Sequence, residues 1–253
     1  MLPLSISILA HNEASELARA LESLKGWDVE IVIVVADSQD ETEVVARKYT
    51  NSVHLRPNNL QLNINKVEGF NQCTREWIFY LDADEVMTPE LRKEVESVLQ
   101  NTNIDGYWMP RKTYWFGDRW LRHGGLYPDL QLRLFRRKKG SFACKNVHEY
   151  LDVQGSLGHL REPFLHYTRV LTINDYLVKN IMFYSDRERD VILAENRNPW
   201  TYILWKPFYY GFAYYIYRLG ILDGFLGLFW GVSTGYFYFL SGIKALIARS
   251  QKG

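Results

Sequence analysis

Three groups of acidic residues stand where an apolar run gives way to polar sequence. They are Glu13 with His11 and Asn12, Asp37 with Asp40 and Glu41, and Asp82 with Asp84 and Glu85. Carboxylates gathered in this way suit Mg²⁺ or Mn²⁺, which prefer oxygen ligands and keep open positions for phosphate oxygens. The sharpest of the three is Asp82-Ala83-Asp84, directly after Trp77-Ile-Phe-Tyr-Leu81. Read as extended chain, residues i and i+2 point to one side, so both carboxylates would meet the same ion. Taken alone, such a tripeptide is more often a solvated turn; its place after a buried strand is what favours the metal. The chain has neither GxGxxG nor GxxxxGK[ST], the phosphate loops of dehydrogenases and P-loop NTPases. With no glycine-rich amide cradle, an ion held by carboxylates is the simplest way to neutralise a diphosphate.

The elements that position these residues follow from hydrophobic period. Residues 2–10 read as a buried strand, with Asn12 capping a helix whose apolar positions Leu17, Ala20, Leu21 and Leu24 recur at helical spacing until Gly26. Residues 30–36 form a near-continuous apolar strand, as expected when both faces of a sheet are covered. A helix over 40–49, a short strand at 53–55, a helix over about 63–74 and the strand 77–81 continue the alternation. Thr88 and Pro89 open another helix, in cap and first-turn positions. Strands alternating with helices predict an α/β fold with a mostly parallel sheet flanked by helices. Ligands of such sheets bind beyond the carboxyl ends of the strands, where all three acidic groups fall.

Composition narrows the function classes. Of 253 residues, 47% are hydrophobic and 23% charged, enough apolar material to fold rather than remain disordered. A net charge of +1 excludes a polycationic nucleic-acid binder held mainly by charge. Cys73 and Cys144 lack CxxC spacing and form neither a four-thiolate zinc site nor a disulfide scaffold, so a reducing compartment is expected. The start MLPLSISILAHNE has no basic segment and is not read as a signal peptide.

The segments SISILAHNE, IVIVVADSQDET and WIFYLDADE followed by TPEL resemble the family 2 glycosyltransferases of the GT-A nucleotide-sugar-binding fold. YPDLQLRLFRR, NVHEYL and FLHYTRVLTINDYLVKNIMFYS are similar to one branch, the lipopolysaccharide-core β-1,4-glucosyltransferases. The resemblance implies an inverting, metal-dependent transfer of a hexose, glucose from UDP-glucose, to a membrane glycolipid. A polyprenyl-phosphate or other envelope-polysaccharide acceptor, a nucleotidyltransferase and a non-enzymatic membrane adaptor are the alternatives. Residue by residue, it puts Ala10 and Glu13, with the adjoining Asn12, beside the nucleoside and Asp37 on the uracil edge. Asp82 falls near ribose and sugar and shares the Mg²⁺ or Mn²⁺ ion with Asp84, its principal ligand. Lys66 falls near the nucleotide, although Val67 follows it where the family commonly has asparagine.

Inverting transfer needs a general base at the acceptor hydroxyl, worth roughly 10²–10⁴-fold. Glu149, Asp129 and Asp152 are the candidates, with Glu149 in NVHEYL preferred and Asp129 next. The resemblance makes His166 a further metal or diphosphate ligand. Arg133, inside the alternating run 130–135, turns inward to phosphate on this reading, and His123 with Gly124 and Gly125 shapes the sugar pocket.

The stretch from Trp200 to Phe239 holds 17 of the chain's 38 aromatic residues. Over 199–253, Lys206, Arg218, Lys244, Arg249 and Lys252 stand against Asp223 alone. This shift sets a boundary near Asn198, between a GT-A domain over 1–198 and a membrane-associated helical region over 199–253. Tyr and Trp favour the lipid–water boundary, so helices lying in the cytoplasmic face of the inner membrane, peripheral or monotopic, are expected. A helical subdomain packed on the core and a dimer interface are the competing readings. Residues 224–243 carry no charge and suffice in length to span a bilayer. The hexose, acceptor and oligomeric state stay open at this level.

Overall fold

A computed structural model describes residues 1–59, 61–100, 103–144 and 150–251. The chain divides into two units, one of Met1–Lys112 with Asp129–His166, the other of Thr113–Pro128 with Tyr167–Gly253. The observed division departs from the boundary set near Asn198, because the 113–128 excursion and the helices after Tyr167 share a core with the aromatic tail. Val170, Tyr176 and Ile181 pack there with Trp115, Phe116, Phe229 and Trp230.

The first unit opens with the expected alternation. Strand β1 (Leu4–Ala10), helix α1 (Ala14–Glu22), strand β2 (Glu30–Ala36), helix α2 (Thr42–Arg47), strand β3 (Val53–Arg56), helix α3 (Leu62–Gln72) and strand β4 (Trp77–Asp82) follow one another. The strands lie in the order β3-β2-β1-β4 and all pair parallel. Beyond β4 the sheet changes character. A two-residue strand β5 (Glu85–Val86), helix α4 (Pro89–Val98), strand β6 (Gly106–Trp115), strand β7 (Arg119–Trp120) and strand β8 (Asp129–Arg136) come next. Strands β9 (Gly140–Ser141), β10 (Asp152–Val153), β11 (Leu157–His159) and β12 (Phe164–Tyr167) complete the set. The order continues β8-β6-β12-β5, with β8 antiparallel to both β4 and β6, and β12 antiparallel to β5.

Leu4, Ile6, Ile8, Trp77 and Phe79 are fully buried, together with Leu17 and Leu21 of α1. Each such side chain contributes about 1.5–3 kcal/mol of transfer free energy, which anchors the strands whose ends carry the loops. α4 starts as its sequence predicts: the Thr88 hydroxyl accepts the Leu91 N–H at 3.1 Å, and Pro89 fills the first turn. α1 differs from expectation. Asn12 does not cap it; the Asp40 carboxylate reaches over from the loop after β2 and accepts the Ala14 N–H at 3.2 Å. Asn12, at φ +51°, instead accepts the Gln39 N–H through Oδ1 at 2.7 Å and donates its own N–H to Ser38 at 3.0 Å. The loops after β1 and β2 are thereby stapled to each other.

In the second unit, α5 (Ile173–Tyr176) runs through a π-helical segment (Leu177–Met182) into α6 (Phe183–Ala194). α7 (Pro199–Leu204), α8 (Lys206–Phe212), a second π-helical segment (Ala213–Tyr217) and a 3₁₀ turn (Gly220–Asp223) lead to α9 (Gly224–Ser250). Among the described residues, no helix is long and apolar enough to cross a membrane, α9 included.

Candidate active site

At the carboxyl end of β4 the chain turns sharply, and the turn sorts its acidic residues onto different partners. Asp82 ends the strand with its side chain 31% exposed. Lys66 of α3 meets its Oδ1 at 2.6 Å, and Arg133 of β8 donates to its Oδ2 at 3.0 Å. Burial would raise the Asp82 carboxyl, but these two cations outweigh it and hold the group well below the ordinary carboxylate range. Arg133 is buried, lying 4.2 Å over the Tyr80 ring and 5.4 Å from that of Phe164. Burial is the largest influence and disfavours its charge; Glu85, Tyr80 and Asp82 together outweigh it, so its pKa is raised. Its Nε and Nη1 have no hydrogen-bond partner among the described residues. Aromatic faces supply part of what they lack.

Glu85 is fully buried and holds this arrangement together. Its Oε1 accepts from Arg133 at 2.6 Å, its Oε2 accepts the Asp82 N–H at 2.9 Å, and Arg111 approaches within 3.7 Å. Burial pushes its carboxyl up, and the Asp82 charge adds to that against the pull of Arg133.

Asp84 faces elsewhere. Residues 83 and 84 form the turn between β4 and β5, not the extended segment read from the sequence, and the two carboxylates meet different partners. Asp84 Oδ2 lies 3.3 Å from His166 Nε2, brought there by the antiparallel pairing of β12 with β5, in which His166 is opposite Glu85. Two neighbouring ligands of one ion, each about 2.1 Å from it, are about 3 Å apart. The Asp84–His166 pair therefore fits a small divalent cation, whereas Asp82 already has a cation on each oxygen. Among the described residues, no group of three or more His, Cys, Asp or Glu side chains forms a ready-made cage. An ion here would draw its other ligands from substrate oxygens and water, as Mg²⁺ commonly does.

Two cavities adjoin these strand ends. One, of about 400 Å³, is lined by Lys66, Tyr80, Asp82, Arg111, Gln131 and Arg133 among others. Three cations against one carboxylate suit an anionic ligand. The second, of about 410 Å³, has Asp37, Ser38, Leu55, Arg56 and Pro57 in its wall. Asp37 stands exposed at φ +46°, its N–H donated to the Arg56 carbonyl at 2.9 Å. Ala10 is buried at the end of β1, and Glu13 accepts the His11 N–H at 3.1 Å. His11 Nδ1 lies 2.6 Å from the Ala36 carbonyl, which accepts its proton, and the Asn12 and Asn58 amides both approach Nε2 at 3.2 Å. That network leaves His11 holding two loops in place.

Residues 5–154 match the sequence profile of glycosyl transferase family 2. The chain belongs to that family. It is 29% identical over 240 residues to the lipopolysaccharide core biosynthesis glycosyltransferase LpsC of Rhizobium meliloti, covering 89% of this chain and 86% of that protein. An uncharacterized glycosyltransferase of Rickettsia conorii, RC0292, is 25% identical over 240 residues, covering 88% and 83%. Among solved structures, the mannosyltransferase PcManGT from Pyrobaculum calidifontis, in complex with GDP-Man and Mn²⁺, aligns with a TM-score of 0.56 at 11% identity. That alignment covers 96% of this chain and 87% of the other, and establishes the GT-A α/β fold.

For this family 2 glycosyltransferase, the structure brings Lys66, Asp82 and Arg133 into one cluster, and Asp84 and His166 into another. It gives Asp37, Asn12 and Glu13 to a separate group of loops. Asp129 is held on both oxygens, by Arg111 at 2.7–2.8 Å and by Gln131 at 2.7 Å. Asp152 pairs in β10 with Ser141, away from these clusters in the ladder. Glu149 lies outside the described residues. His123 belongs to the second unit, bound to Asp223. Sequence reasoning assigned no role to Arg111 or Gln131, and counted Glu85 only among the acidic residues suited to a metal ion, not as the buried partner of Arg133. The alternating pattern of β6 and β8 would have put Arg111, Gln131 and Arg133 together had the antiparallel register of Arg111 with Asp129 been known.

Proposed function

We propose that this chain transfers a hexose, glucose from UDP-glucose, with inversion, to a membrane-borne glycolipid of the lipopolysaccharide-core class. It would work as a peripheral or monotopic protein at the cytoplasmic face of the inner membrane. The observation that carries the donor half is the Asp84–His166 pair, 3.3 Å apart on the same strand ends as the cation-lined cavity. LpsC, a lipopolysaccharide core glycosyltransferase by name, supports the acceptor class.

Asp84 and His166 would hold Mn²⁺ or Mg²⁺, which supplies charge stabilisation to the departing diphosphate. Asp37 would read the uracil edge through its carboxylate, and Leu55 and Pro57 supply apolar walls to the same cavity. Lys66 and Arg111 would orient the diphosphate, their charges preorganised by Asp82 and Asp129. The acceptor oxygen attacks the anomeric carbon while the bond from that carbon to the diphosphate oxygen breaks. The nucleoside diphosphate leaves with the electron pair, and the base takes the hydroxyl proton. Glu149 is the base in this reading, since Asp129 already spends both oxygens on Arg111 and Gln131.

A panel of nucleotide sugars with Mn²⁺ or Mg²⁺, scored by nucleoside diphosphate release, tests the proposal. UDP-glucose should be hydrolysed slowly without acceptor, and Asp84→Ala should abolish that release. Glu149→Ala should keep donor affinity by calorimetry and lower transfer about 10²–10⁴-fold. Wild-type release by Asp84→Ala would refute the ion site, and near-normal transfer by Glu149→Ala would refute the base.

A further inference from the structure

The second unit contains a cavity of about 320 Å³, near the lower bound of ligand pockets, whose wall is chiefly aromatic. Trp115, Tyr176, Tyr214, Trp230, Thr234 and Tyr238 line much of it. The rings are set by one another: Trp115 and Trp230 meet at 5.0 Å between centroids with planes 61° apart, and Tyr176 stands 5.2 Å from Trp230. Edge-to-face contacts of this kind fix a wall before a ligand arrives. Tyr176, Tyr184, Tyr214 and Tyr238 bring hydroxyl groups to the lining, while the Thr234 hydroxyl donates to the Trp230 carbonyl at 2.9 Å and keeps only acceptor capacity. An alkyl chain has no use for those, whereas a sugar ring presents an apolar face together with hydroxyl edges.

A cation lies against this wall. The exposed Arg218 guanidinium is 4.7 Å from the Tyr214 ring centroid and packs on Gly125, itself a lining residue at φ +77°. A Cβ on Gly125 would lie 2.5 Å from Arg218 Nη1, so glycine is what admits the guanidinium there. Asp223 is the sole acidic residue over 199–253, and both of its oxygens serve His123, at 2.8 Å to Nδ1 and 2.8 Å to the N–H. Arg218 is accordingly left with no carboxylate partner among the described residues, while the His123 clamp and the Gly124 N–H to the Arg218 carbonyl, at 2.9 Å, hold its loop in place.

We propose that this aromatic box binds one anionic sugar of the acceptor, its ring face on the Trp and Tyr walls and its carboxylate or phosphate on Arg218. The inference rests on the acceptor reading above and names the chemistry of one acceptor unit. Its test contains no donor and reads no transfer, so it can fail while that reading stands, and the reverse.

The full chain is titrated with glucuronate, glucose 6-phosphate and neutral methyl glucoside, followed by saturation-transfer NMR and calorimetry. At least one anionic sugar should bind more tightly than methyl glucoside, with ring protons saturated from aromatic resonances. A charge-assisted hydrogen bond contributes enough that Arg218→Gln should weaken the anionic sugar about tenfold, to the level of the neutral one. Arg218→Lys should retain part of the preference, and Tyr184→Ala, in the exposed wall, should weaken all three sugars. Circular dichroism and thermal unfolding check that each variant folds. Equal affinity for charged and neutral sugars, no binding of any of them, or an anionic affinity unmoved by Arg218→Gln overturns the proposal. So does an affinity that follows Lys66→Met, which would assign the sugar to the donor cavity.

Discussion

Asp82 and Glu85, three residues apart, titrate in opposite directions because their surroundings differ. Lys66 and Arg133 overcome burial at Asp82 and depress its pKa below the ordinary 3.8; burial prevails at Glu85 and lifts it above 4.5. For Asp82, the folded state releases its proton more readily than the unfolded chain, so the stabilisation is in full force above the unfolded value. It is lost as pH falls from about 4 toward the depressed folded value. Glu85 contributes the other sign: ionising it costs more in the folded state, and stability declines as pH rises from 4.5 through its raised folded value. Urea unfolding as a function of pH separates the two. Asp82→Asn should flatten the acid limb below about pH 4 and, by removing a charge that lifts Glu85, lessen the decline above 4.5 without abolishing it. An unchanged acid limb would show that Asp82 does not carry it. The sequence revealed that acidic residues gather at the end of WIFYL, because a strand end is a local feature. It did not reveal which cation meets which carboxylate. Lys66, Arg111, Arg133 and His166 arrive from α3, β6, β8 and β12, and only the register between strands distant in sequence brings them in.

Helix α9 shows where local pattern informs and where it misleads. Gly227, Gly231 and Gly235 recur every fourth residue, and as sequence they only diminish the apolar character of the segment. In the fold they form the face on which neighbouring backbone lies. A Cβ on Gly231 would be 3.0 Å from the Gly211 carbonyl, and one on Gly235 would be 2.8 Å from that of Pro207. The contact is with backbone, which has little room to yield. Gly235→Val should therefore destabilise the second unit by about 1–3 kcal/mol, the usual cost of overpacking, seen as a lower midpoint in chemical denaturation. An unshifted midpoint would mean that α8 and α9 do not depend on this approach. The Thr88–Pro89 start of α4 was legible because a cap and its helix adjoin in sequence. The cap of α1 was not, since Asp40 supplies it from a loop 26 residues away.

Across the whole molecule, the aromatic excess of residues 200–239 is divided between burial and exposure. Phe229, Trp230 and Phe237 pack into a core against Tyr176, whereas Phe208 is 75% exposed, and Phe212 and its apolar neighbour Val232 are each 63% exposed. These last three line a groove of about 700 Å³ over α8 and α9 whose described lining contains no charged side chain. Composition located the excess without distinguishing its two uses, because an aromatic run has the same sequence whether it turns inward or out. The exposed portion is what the membrane reading requires: large apolar side chains with Lys206, Arg218 and Arg249 in the same segment suit an anionic lipid surface, whereas Lys244 is taken by Asp186 at 3.0 Å. Such confinement would raise the local concentration of a membrane-borne acceptor without new contacts. The full chain should co-sediment with phosphatidylglycerol-containing vesicles more strongly than with phosphatidylcholine alone, and salt should reduce that difference. Replacing Phe208, Phe212 and Val232 together with serine removes apolar area already open to solvent, so thermal unfolding should change little while vesicle binding falls. If the triple variant sediments with vesicles as the wild type does, the groove is not the membrane contact. If instead the wild type is a dimer that the triple variant dissociates, a second copy of the chain covers this face, and a lipid surface does not.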